Sequence, residues 1–251
     1  TEDQVDAALV ALAERGRLRA GRNLKTQRTG APLAGATLNR YVKQLAQVFK
    51  YARRLRILPR THVPPTQGVE MAPENTHHDR YFTATEIDCL IRVARVVDHK
   101  WRRMPALIVL AYTTGLRKSN LLSLRWADLD LERGEVSVAV TKNGDPMVQA
   151  LAPQALEELR KLPRTHALVF PGINGNPFNI RRLWPRILAE AHLEGRTFHS
   201  LRHSCGHALA KSGQSQAMIM RYMGHRSLSA SARYMHVGVE DKRRVAAEVF
   251  G

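Results

Sequence analysis

Apolar residues recur at helical spacing along the N-terminal part of the chain, and this pattern predicts two helices. The first covers residues 4–15, with one apolar face made of Val5, Ala8, Leu9 and Leu12. The second covers residues 38–56, after a possible N-cap at Thr37. Its apolar positions are Leu38, Tyr41, Val42, Leu45, Val48, Phe49 and Ala52. Its other face carries the basic residues Arg40, Lys43, Lys50, Arg53, Arg54 and Arg56. Such a face is typical of docking on a DNA backbone or of an ordinary solvated surface.

Prolines and glycines then interrupt the periodicity, so residues 63–79 are predicted to be a linker. The linker would separate one domain over residues 1–62 from a second over residues 80–251. In the second domain, Thr83 or Thr85 can cap a helix that ends near Val97, and Glu86 is placed for a capping box with Thr83. Another helix begins near Leu116. Further helices are predicted over residues 103–113, 153–161, 179–193, 200–212, 215–223, 229–236 and 239–249.

One segment of the second domain has the pattern of a β-hairpin. Val136, Val138 and Val140 alternate with smaller residues, Asn143-Gly144 is a turn signal, and residues 147–151 supply the returning strand. The predicted fold class is therefore mainly α with a small antiparallel β-sheet.

Charge narrows the choice of partner. The chain has 39 Lys and Arg against 22 Asp and Glu, a net charge of +17, and most of its basic residues are Arg. Because a guanidinium group can bind phosphate oxygens through two hydrogen bonds, nucleic acid is favoured over an anionic membrane surface.

The cysteine count and the lack of long apolar runs in the sequence bear on the compartment. Two cysteines, Cys89 and Cys205, fit a reducing compartment. No apolar run approaches the roughly 20 residues of a membrane span. The polar N-terminus is unlike a signal peptide, and the missing initial Met suggests a segment upstream.

Several positions could supply phosphate chemistry. Gly115 allows a tight turn before Arg117, where a helix start attracts anions. Lys142 lies beside the hairpin turn, where it could protonate a leaving oxygen, contact a phosphate or simply be exposed. His199 and Arg202 are three residues apart, so on a helix they share one face. The imidazole of His199 could accept a proton near neutral pH, and the guanidinium of Arg202 could bind a phosphate. Taken alone, each position is also compatible with an ordinary surface residue.

A tyrosine near the C-terminus could complete this chemistry. Tyr234 follows His225 by nine residues, and a tyrosine hydroxyl can attack phosphorus to give a phosphotyrosine. A single tyrosine is more often an ordinary half-buried residue. The spacing of His199, His203 and His207 also allows a zinc site. That alternative is disfavoured because the zinc-protease motif has Glu after its first His, whereas serine follows both His199 and His203.

In chain order the candidate residues resemble the catalytic set of the tyrosine recombinase (phage integrase) family: Arg117, Lys142, His199, Arg202, His225 and Tyr234. The surrounding sequences, Thr-Gly-Leu-Arg, His-x-Leu-Arg-His, Gly-His-x-Ser and Arg-Tyr-x-His, are similar to the family's as well. The chain departs from the common pattern at Asn120, where an acidic residue is frequent, and at Ser200 and Ser204, where Asp and Thr are frequent. None of these three positions supplies the acid, the base or the nucleophile.

The resemblance implies a helical core-binding (SAM-like) domain over residues 1–62, the linker over residues 63–79 and an integrase-type catalytic domain over residues 80–251 that ends in a tail helix. It implies that the N-terminal domain contacts DNA through Arg40, Lys43, Lys50, Arg53 and Arg54. The implied partners are double-stranded DNA with a specific core site and further copies of the chain, from dimer to tetramer, without a membrane. The implied location is the cytoplasm, at the nucleoid.

The activity implied by the resemblance is site-specific recombination that integrates or excises a mobile element. Tyr234 attacks the scissile phosphate, forming a 3′-phosphotyrosine, and strands are exchanged through a Holliday junction. Arg117, Arg202 and His225 stabilise the transition state, Lys142 protonates the leaving oxygen, and His199 is the base or positioning group. No metal, ATP or other cofactor is implied. Three alternatives remain open: relaxation of DNA by a type IB topoisomerase, a non-catalytic DNA-binding accessory protein, and a metal-dependent nuclease.

Overall fold

A computed structural model covers the chain, and it divides into two compact units, Thr1–His77 and His78–Gly251. The division falls inside the segment predicted as a linker, and each unit is described by itself. The structure describes residues 1–15, 18–20, 26–28, 32–74, 81–138, 146–172, 175–225, 227, 231–232 and 234. Within these residues, no helix combines the length and apolar character needed to cross a bilayer.

The N-terminal unit is built on two helices, α1 (Glu2–Arg15) and α2 (Gly35–Arg54). A short antiparallel ribbon of β1 (Leu18–Ala20) and β2 (Thr26–Arg28) lies between them in sequence. The sequence pattern did not predict this ribbon, because each strand is only three residues long. The predicted N-cap of α2 is wrong: the helix begins after Ala34, which makes no side-chain cap bond, and Thr37 lies inside the first turn.

Only part of the apolar pattern of α2 is buried. Val42 packs with Val5 and Val69 in a small core, whereas Tyr41 and Val48 are 44% and 63% exposed. A buried amide, Asn39, adds a polar tie to the segment that follows the helix. Its Nδ2 donates to the carbonyl of Ala72 at 2.9 Å, and its Oδ1 accepts from the Ala72 N–H at 2.8 Å. The hydrophobic pattern could not predict this tie, since Asn is counted among surface residues.

The C-terminal unit combines helices with a three-stranded antiparallel sheet, and the predicted fold class is confirmed. The strands follow one another across the sheet in chain order, and Val138 lies opposite Met147. The helices are α3 (Ala84–Val97), α4 (Arg103–Thr114), α5 (Lys118–Leu122), α6 (Pro153–Arg160), α7 (Leu183–Glu190), α8 (His199–Lys211) and α9 (Gln216–Tyr222). The strands are β3 (Leu129–Asp130), β4 (Glu135–Val138) and β5 (Met147–Ala150).

Helix α4 is the centre of the hydrophobic core. Its residues Met104–Ala111 are all buried, and the helix packs against α3, α6 and α8. A helix that is apolar on every side is expected to be buried on every side. Burying each large aliphatic side chain contributes roughly 1.5–3 kcal/mol. The C-terminal end of α4 is thereby fixed in the middle of the unit, directly before Arg117.

Some predicted elements differ from the structure or lie beyond its description. Helix α7 begins at Leu183 rather than at residue 179, because the Asn179 side chain accepts a hydrogen bond from the Arg181 N–H at 3.0 Å and forms a turn instead. Strand β4 is described as far as Val138. The predicted turn at Asn143-Gly144 and the predicted tail helix over residues 239–249 lie outside the described residues, as does most of the predicted helix over residues 229–236.

The start of α3 allows the predicted N-cap to be tested. Thr83, not Thr85, is the N-cap, and its Oγ1 accepts from the Glu86 N–H at 3.2 Å while the Glu86 carboxylate accepts from the Thr83 N–H at 2.8 Å. We expect Thr83→Ala to lower the free energy of unfolding by about 1 kcal/mol in urea denaturation, because one N-terminal N–H loses its acceptor. The control Thr85→Ala lies inside the helix and should change stability by only a few tenths of a kcal/mol. Equal losses for the two variants would contradict this assignment.

Candidate active site

The turn between α4 and α5 presents the first arginine of the predicted set. Helix α4 ends at Gly115, whose φ of 62° lies in the left-handed region that glycine adopts without steric cost. A Cβ there would also come within 3.1 Å of the Cys205 Sγ. Arg117 then adopts an extended conformation as the N-cap of α5. Its side chain is half-buried, so it is held by the turn but remains partly open to solvent.

Helix α8 supplies the second arginine, and this one is buried. Arg202 is 5% exposed. Its guanidinium donates one hydrogen bond to the carbonyl of Gly115 and another to the carbonyl of Met223, at the end of α9. Burial, together with the nearby charge of Arg117, lowers the pKa of Arg202 to about 10. Arg202 therefore remains charged at neutral pH and links three segments of the unit.

The two arginines form a positively charged pair. After burial, the nearby charge of Arg117 is the second cause of the lowered pKa of Arg202, as expected for like charges that lie close together. Within the described part of the chain, neither arginine forms an ion pair with a carboxylate. A pair of guanidinium groups without carboxylate partners is well suited to bind the oxygens of a phosphate.

Tyr234 packs onto the same helix. The side chain is 4% exposed, and its ring lies against the backbone of Gly206, where a Cβ would come within 2.7 Å of the ring carbons. The phenol oxygen lies 3.1 Å from Nδ1 of His203, within hydrogen-bonding distance. Helix α8 therefore carries both Arg202 and the surface on which the predicted nucleophile rests.

Histidines surround this tyrosine on several sides. The ring of His225 is stacked with that of Tyr234 at a centroid distance of 6.3 Å, and Nδ1 of His225 lies 2.8 Å from the hydroxyl of the buried Ser231. His207 meets the Tyr234 ring at 5.5 Å in an edge-on contact. His199 is exposed and makes an edge-on contact with His203 at 4.8 Å.

Three residues that contact Tyr234 were not predicted as site residues: His203, Gly206 and His207. From the sequence, the position beside the predicted nucleophile was assigned to His199. The helical spacing of the histidines was visible, but which of them meets the tyrosine depends on where the tyrosine packs. A glycine inside a helix was a further signal, because it lowers helix stability by about 0.5–1 kcal/mol relative to alanine and usually has a packing reason.

The serines that depart from the family pattern support the start of α8. The Ser200 Oγ accepts a hydrogen bond from the Thr197 N–H at 3.2 Å. The Ser204 Oγ accepts from the Phe82 N–H at 2.7 Å and donates to the Ser200 carbonyl at 2.9 Å. Both side chains are buried. Hydroxyl groups therefore fix the beginning of α8 and the approach to α3 in this chain.

Other predicted residues lie elsewhere or outside the described residues. Lys142 belongs to the segment that the structure does not describe. On α2, the predicted DNA-binding residues are exposed, apart from the half-buried Arg53. Lys43 lies 3.8 Å from the Glu74 carboxylate, which reduces its availability to a phosphate. These α2 residues belong to the N-terminal unit and are considered apart from the arginine pair.

A cavity of about 450 Å³ lies at the other end of α4, lined by Trp101, Arg103 and Pro171 among others. Since α4 has 12 residues, its length of about 18 Å separates this cavity from the arginine pair. Among the residues that the structure describes, no cluster of three or more His, Cys, Asp or Glu side chains could hold a metal ion.

Comparison with known proteins bears on this arrangement. The sequence model of the phage integrase family matches residues 80–241, which include the complete predicted set. FimE of Escherichia coli strain K12, a type 1 fimbriae regulatory protein, is 31% identical over 169 residues, which are 62% of this chain and 84% of that protein. A tyrosine recombinase XerC of Lactobacillus delbrueckii subsp. bulgaricus is 28% identical over 227 residues, covering 84% of this chain and 76% of that protein.

The fold is also similar to that of a solved structure. The integrase of transposon Tn1549, in complex with a circular intermediate DNA, aligns with a TM-score of 0.74 and 15% identity, covering 99% of this chain and 85% of the integrase chain. At that identity the likeness concerns the fold, whereas the family match rests on the sequence. Both agree with the resemblance inferred from the sequence motifs, which is confirmed. The chain belongs to the phage integrase family, the tyrosine recombinases.

Proposed function

We propose that this chain cuts and rejoins DNA at a specific core site through a covalent bond between Tyr234 and the 3′ side of the scissile phosphate. Site-specific recombination is the activity of its family. The observation that carries the proposal is the arrangement on α8. Arg202 lies on this helix, Tyr234 packs against it at Gly206, and Arg117 lies close enough to lower the pKa of Arg202. A phosphate held by the two arginines would lie near the phenol oxygen.

The first step exchanges one phosphoester for another. The oxygen of Tyr234 forms a bond to phosphorus, and the bond from phosphorus to the 5′ oxygen breaks. With its own proton on Nε2, His203 accepts the phenol proton at Nδ1, and His199 supports His203 through their ring contact. Lys142 donates a proton to the leaving 5′ oxygen.

Stabilisation of the negative charge in the transition state is expected to supply most of the rate enhancement. The pentacoordinate phosphorus carries extra negative charge on its non-bridging oxygens, which Arg117 and Arg202 bind and to which His225 donates. Removing one such preorganised donor typically raises the barrier by roughly 3–4 kcal/mol. In the second step a 5′-hydroxyl from a partner strand attacks the phosphorus and gives its proton to Lys142. The bond from phosphorus to the Tyr234 oxygen breaks, and His203 returns the proton to Tyr234. Neither ATP nor a metal is consumed, because each step conserves the energy of the phosphoester.

The remaining parts of the proposal are DNA binding by the N-terminal unit, assembly of several copies and the type of recombination, and they are supported by the net positive charge of the chain and by its relatives. The basic residues of α2 bind the DNA backbone beside the core site, and further copies of the chain assemble on the same DNA through a tail helix after Tyr234. Strands are exchanged through a Holliday junction, and the reaction integrates or excises a mobile element in the cytoplasm, where the DNA is held in the nucleoid. The similarity to the integrase of a transposon supports this setting. The topoisomerase alternative finds no support among these relatives.

The nucleophile is tested by trapping the covalent intermediate. A core site is first selected from a randomised duplex library by binding, and is then prepared with a nick so that cleavage releases a short strand. We expect the unaltered chain to form a protein–DNA adduct that survives denaturant, in the presence of EDTA, and Tyr234→Phe to form none, because the phenyl ring has no attacking oxygen. The control Tyr41→Phe, on α2, should form the adduct normally. An adduct with Tyr234→Phe would exclude Tyr234 as nucleophile, and dependence on a metal would favour a nuclease.

The docking of Tyr234 is tested at Gly206. An alanine there should favour the helix by about 0.5–1 kcal/mol, but its Cβ would overlap the tyrosine ring. We therefore expect Gly206→Ala to form the adduct roughly 10- to 100-fold more slowly, since a displacement of about 1 Å misaligns the attack. Binding of the core site should be unchanged.

The control for this variant is Gly213→Ala. Gly213 has a φ of 81° and no atom within 4 Å of an added Cβ. That substitution should lower thermal stability while leaving adduct formation intact. A Gly206→Ala variant that forms the adduct at the normal rate would show that the tyrosine does not dock on this helix during cleavage.

The tail is tested by deletion. Residues 240–251 include the apolar residues Val245, Ala246, Ala247, Val249 and Phe250, which suit exchange of a short element between copies of the chain. Removing residues 240–251 should leave binding of a single copy intact but reduce assembly of two or more copies on DNA in a gel-shift experiment, together with rejoining. Unchanged assembly and rejoining would show that the tail packs on its own domain.

A further inference from the structure

Three consecutive carbonyl groups at the end of α4 are each held by a side chain from a different element. The carbonyl of Thr113 accepts a hydrogen bond from the Tyr222 hydroxyl of α9 at 2.6 Å. The carbonyl of Thr114 accepts from the Gln149 Nε2 of β5 at 3.3 Å. The carbonyl of Gly115 accepts from the guanidinium of Arg202 on α8. The last carbonyls of a helix have no partner within the helix and usually bind water or a local cap.

These contacts surround the backbone that leads to Arg117. Gln149 is 5% exposed and Thr114 is fully buried, so water is largely excluded from this turn. Burial raises the pKa of Tyr222, although a hydrogen bond with Gln149 acts in the opposite direction. The phenol therefore keeps its proton and donates a hydrogen bond to the carbonyl of Thr113. Losing Gln149 would leave the carbonyl of the buried Thr114 without its side-chain donor, and losing the Tyr222 hydroxyl would leave the Thr113 carbonyl with the longer contact from the Cys205 Sγ at 3.9 Å.

We propose that Tyr222 and Gln149 are positioning residues for Arg117, since they fix the carbonyls of Thr113 and Thr114 and so set the direction in which the next helix begins. Neither side chain touches the DNA in this scheme. Their effect on cleavage passes through Arg117, and the proposal therefore rests on the function proposed above. Arg202 performs the same task at Gly115, but it also binds the phosphate itself.

The test compares two tyrosine variants that remove the same group. In Tyr222→Phe the hydroxyl that binds Thr113 is lost. In Tyr112→Phe a half-buried hydroxyl of α4 is lost that, among the described residues, makes no hydrogen bond to the turn. We expect the Tyr222→Phe variant to form the covalent adduct roughly 10- to 100-fold more slowly, as for other small displacements of a catalytic group. Tyr112→Phe should stay within about twofold of the unaltered chain, and both should bind the core site equally. Gln149→Met, which keeps the length of the side chain, should lower the rate as Tyr222→Phe does.

A second substrate separates positioning from general destabilisation. In a core site with a methylphosphonate at the scissile position, one charged non-bridging oxygen is missing, so less charge develops for Arg117 to balance. A variant that acts through Arg117 should lose most of its defect on this substrate, to within about threefold of the unaltered chain, as should Arg117→Ala. A variant that merely loosens the fold should be equally slow on both substrates.

The outcomes are distinguishable from failure of the proposed function. If the unaltered chain forms no adduct, or forms one without Tyr234, the recombinase mechanism itself is wrong. If it forms the adduct normally and Tyr222→Phe matches it on the ordinary phosphate, the positioning proposal is overturned while the mechanism stands. An equal defect of Tyr222→Phe on both substrates would overturn it as well.

Discussion

The geometry of the site depends on one buried charge, the guanidinium of Arg202. It is 5% exposed and donates to backbone carbonyls at the ends of two helices, at Gly115 and Met223. Carbonyl groups replace only part of the hydration that a buried cation loses. The same side chain joins α8 to the turn before α5 and to the end of α9, and no carboxylate within the described residues pairs with its charge.

Arg117 adds a second positive charge close to that of Arg202. Arg117 repels Arg202 and contributes to its lowered pKa, so folding holds two like charges together against their repulsion. At Asn120, where relatives often have an acidic residue, this chain has an amide, and no carboxylate charge comes from that position. The carbonyl contacts at the end of α4 keep the arginines in place in spite of the repulsion. In the function proposed above, a phosphate bound by both arginines would relieve this repulsion, and part of the affinity for DNA would then originate in an unfavourable interaction of the free protein.

Sequence reasoning succeeded where the interacting residues are close in the chain or where the chemistry restricts the residue type. The capping box at Thr83 was predictable because its two residues lie within one turn. The family was recognisable because a phosphoryl-transfer site accepts few residues besides arginine and histidine at its key positions. Contacts between distant segments were not predictable, as the bonds of Asn39, Gln149 and Tyr222 show. Each is a polar side chain that a hydrophobic pattern assigns to the surface, and only the tertiary structure shows its buried partner.

Helix α8 shows why the histidine beside the hydroxyl of Tyr234 could not be chosen from the sequence. His199, His203 and His207 recur at intervals of four residues, so they lie on neighbouring positions of one helix face. The choice among them depends on where the Tyr234 ring packs, and that position is available because Gly206 has no side chain. The hydroxyl then reaches His203, three residues earlier on the helix. A residue that weakens the helix by its own propensity thus makes room for the ring whose hydroxyl contacts His203. The stability of α8 and the alignment of the proposed nucleophile therefore depend on the same position.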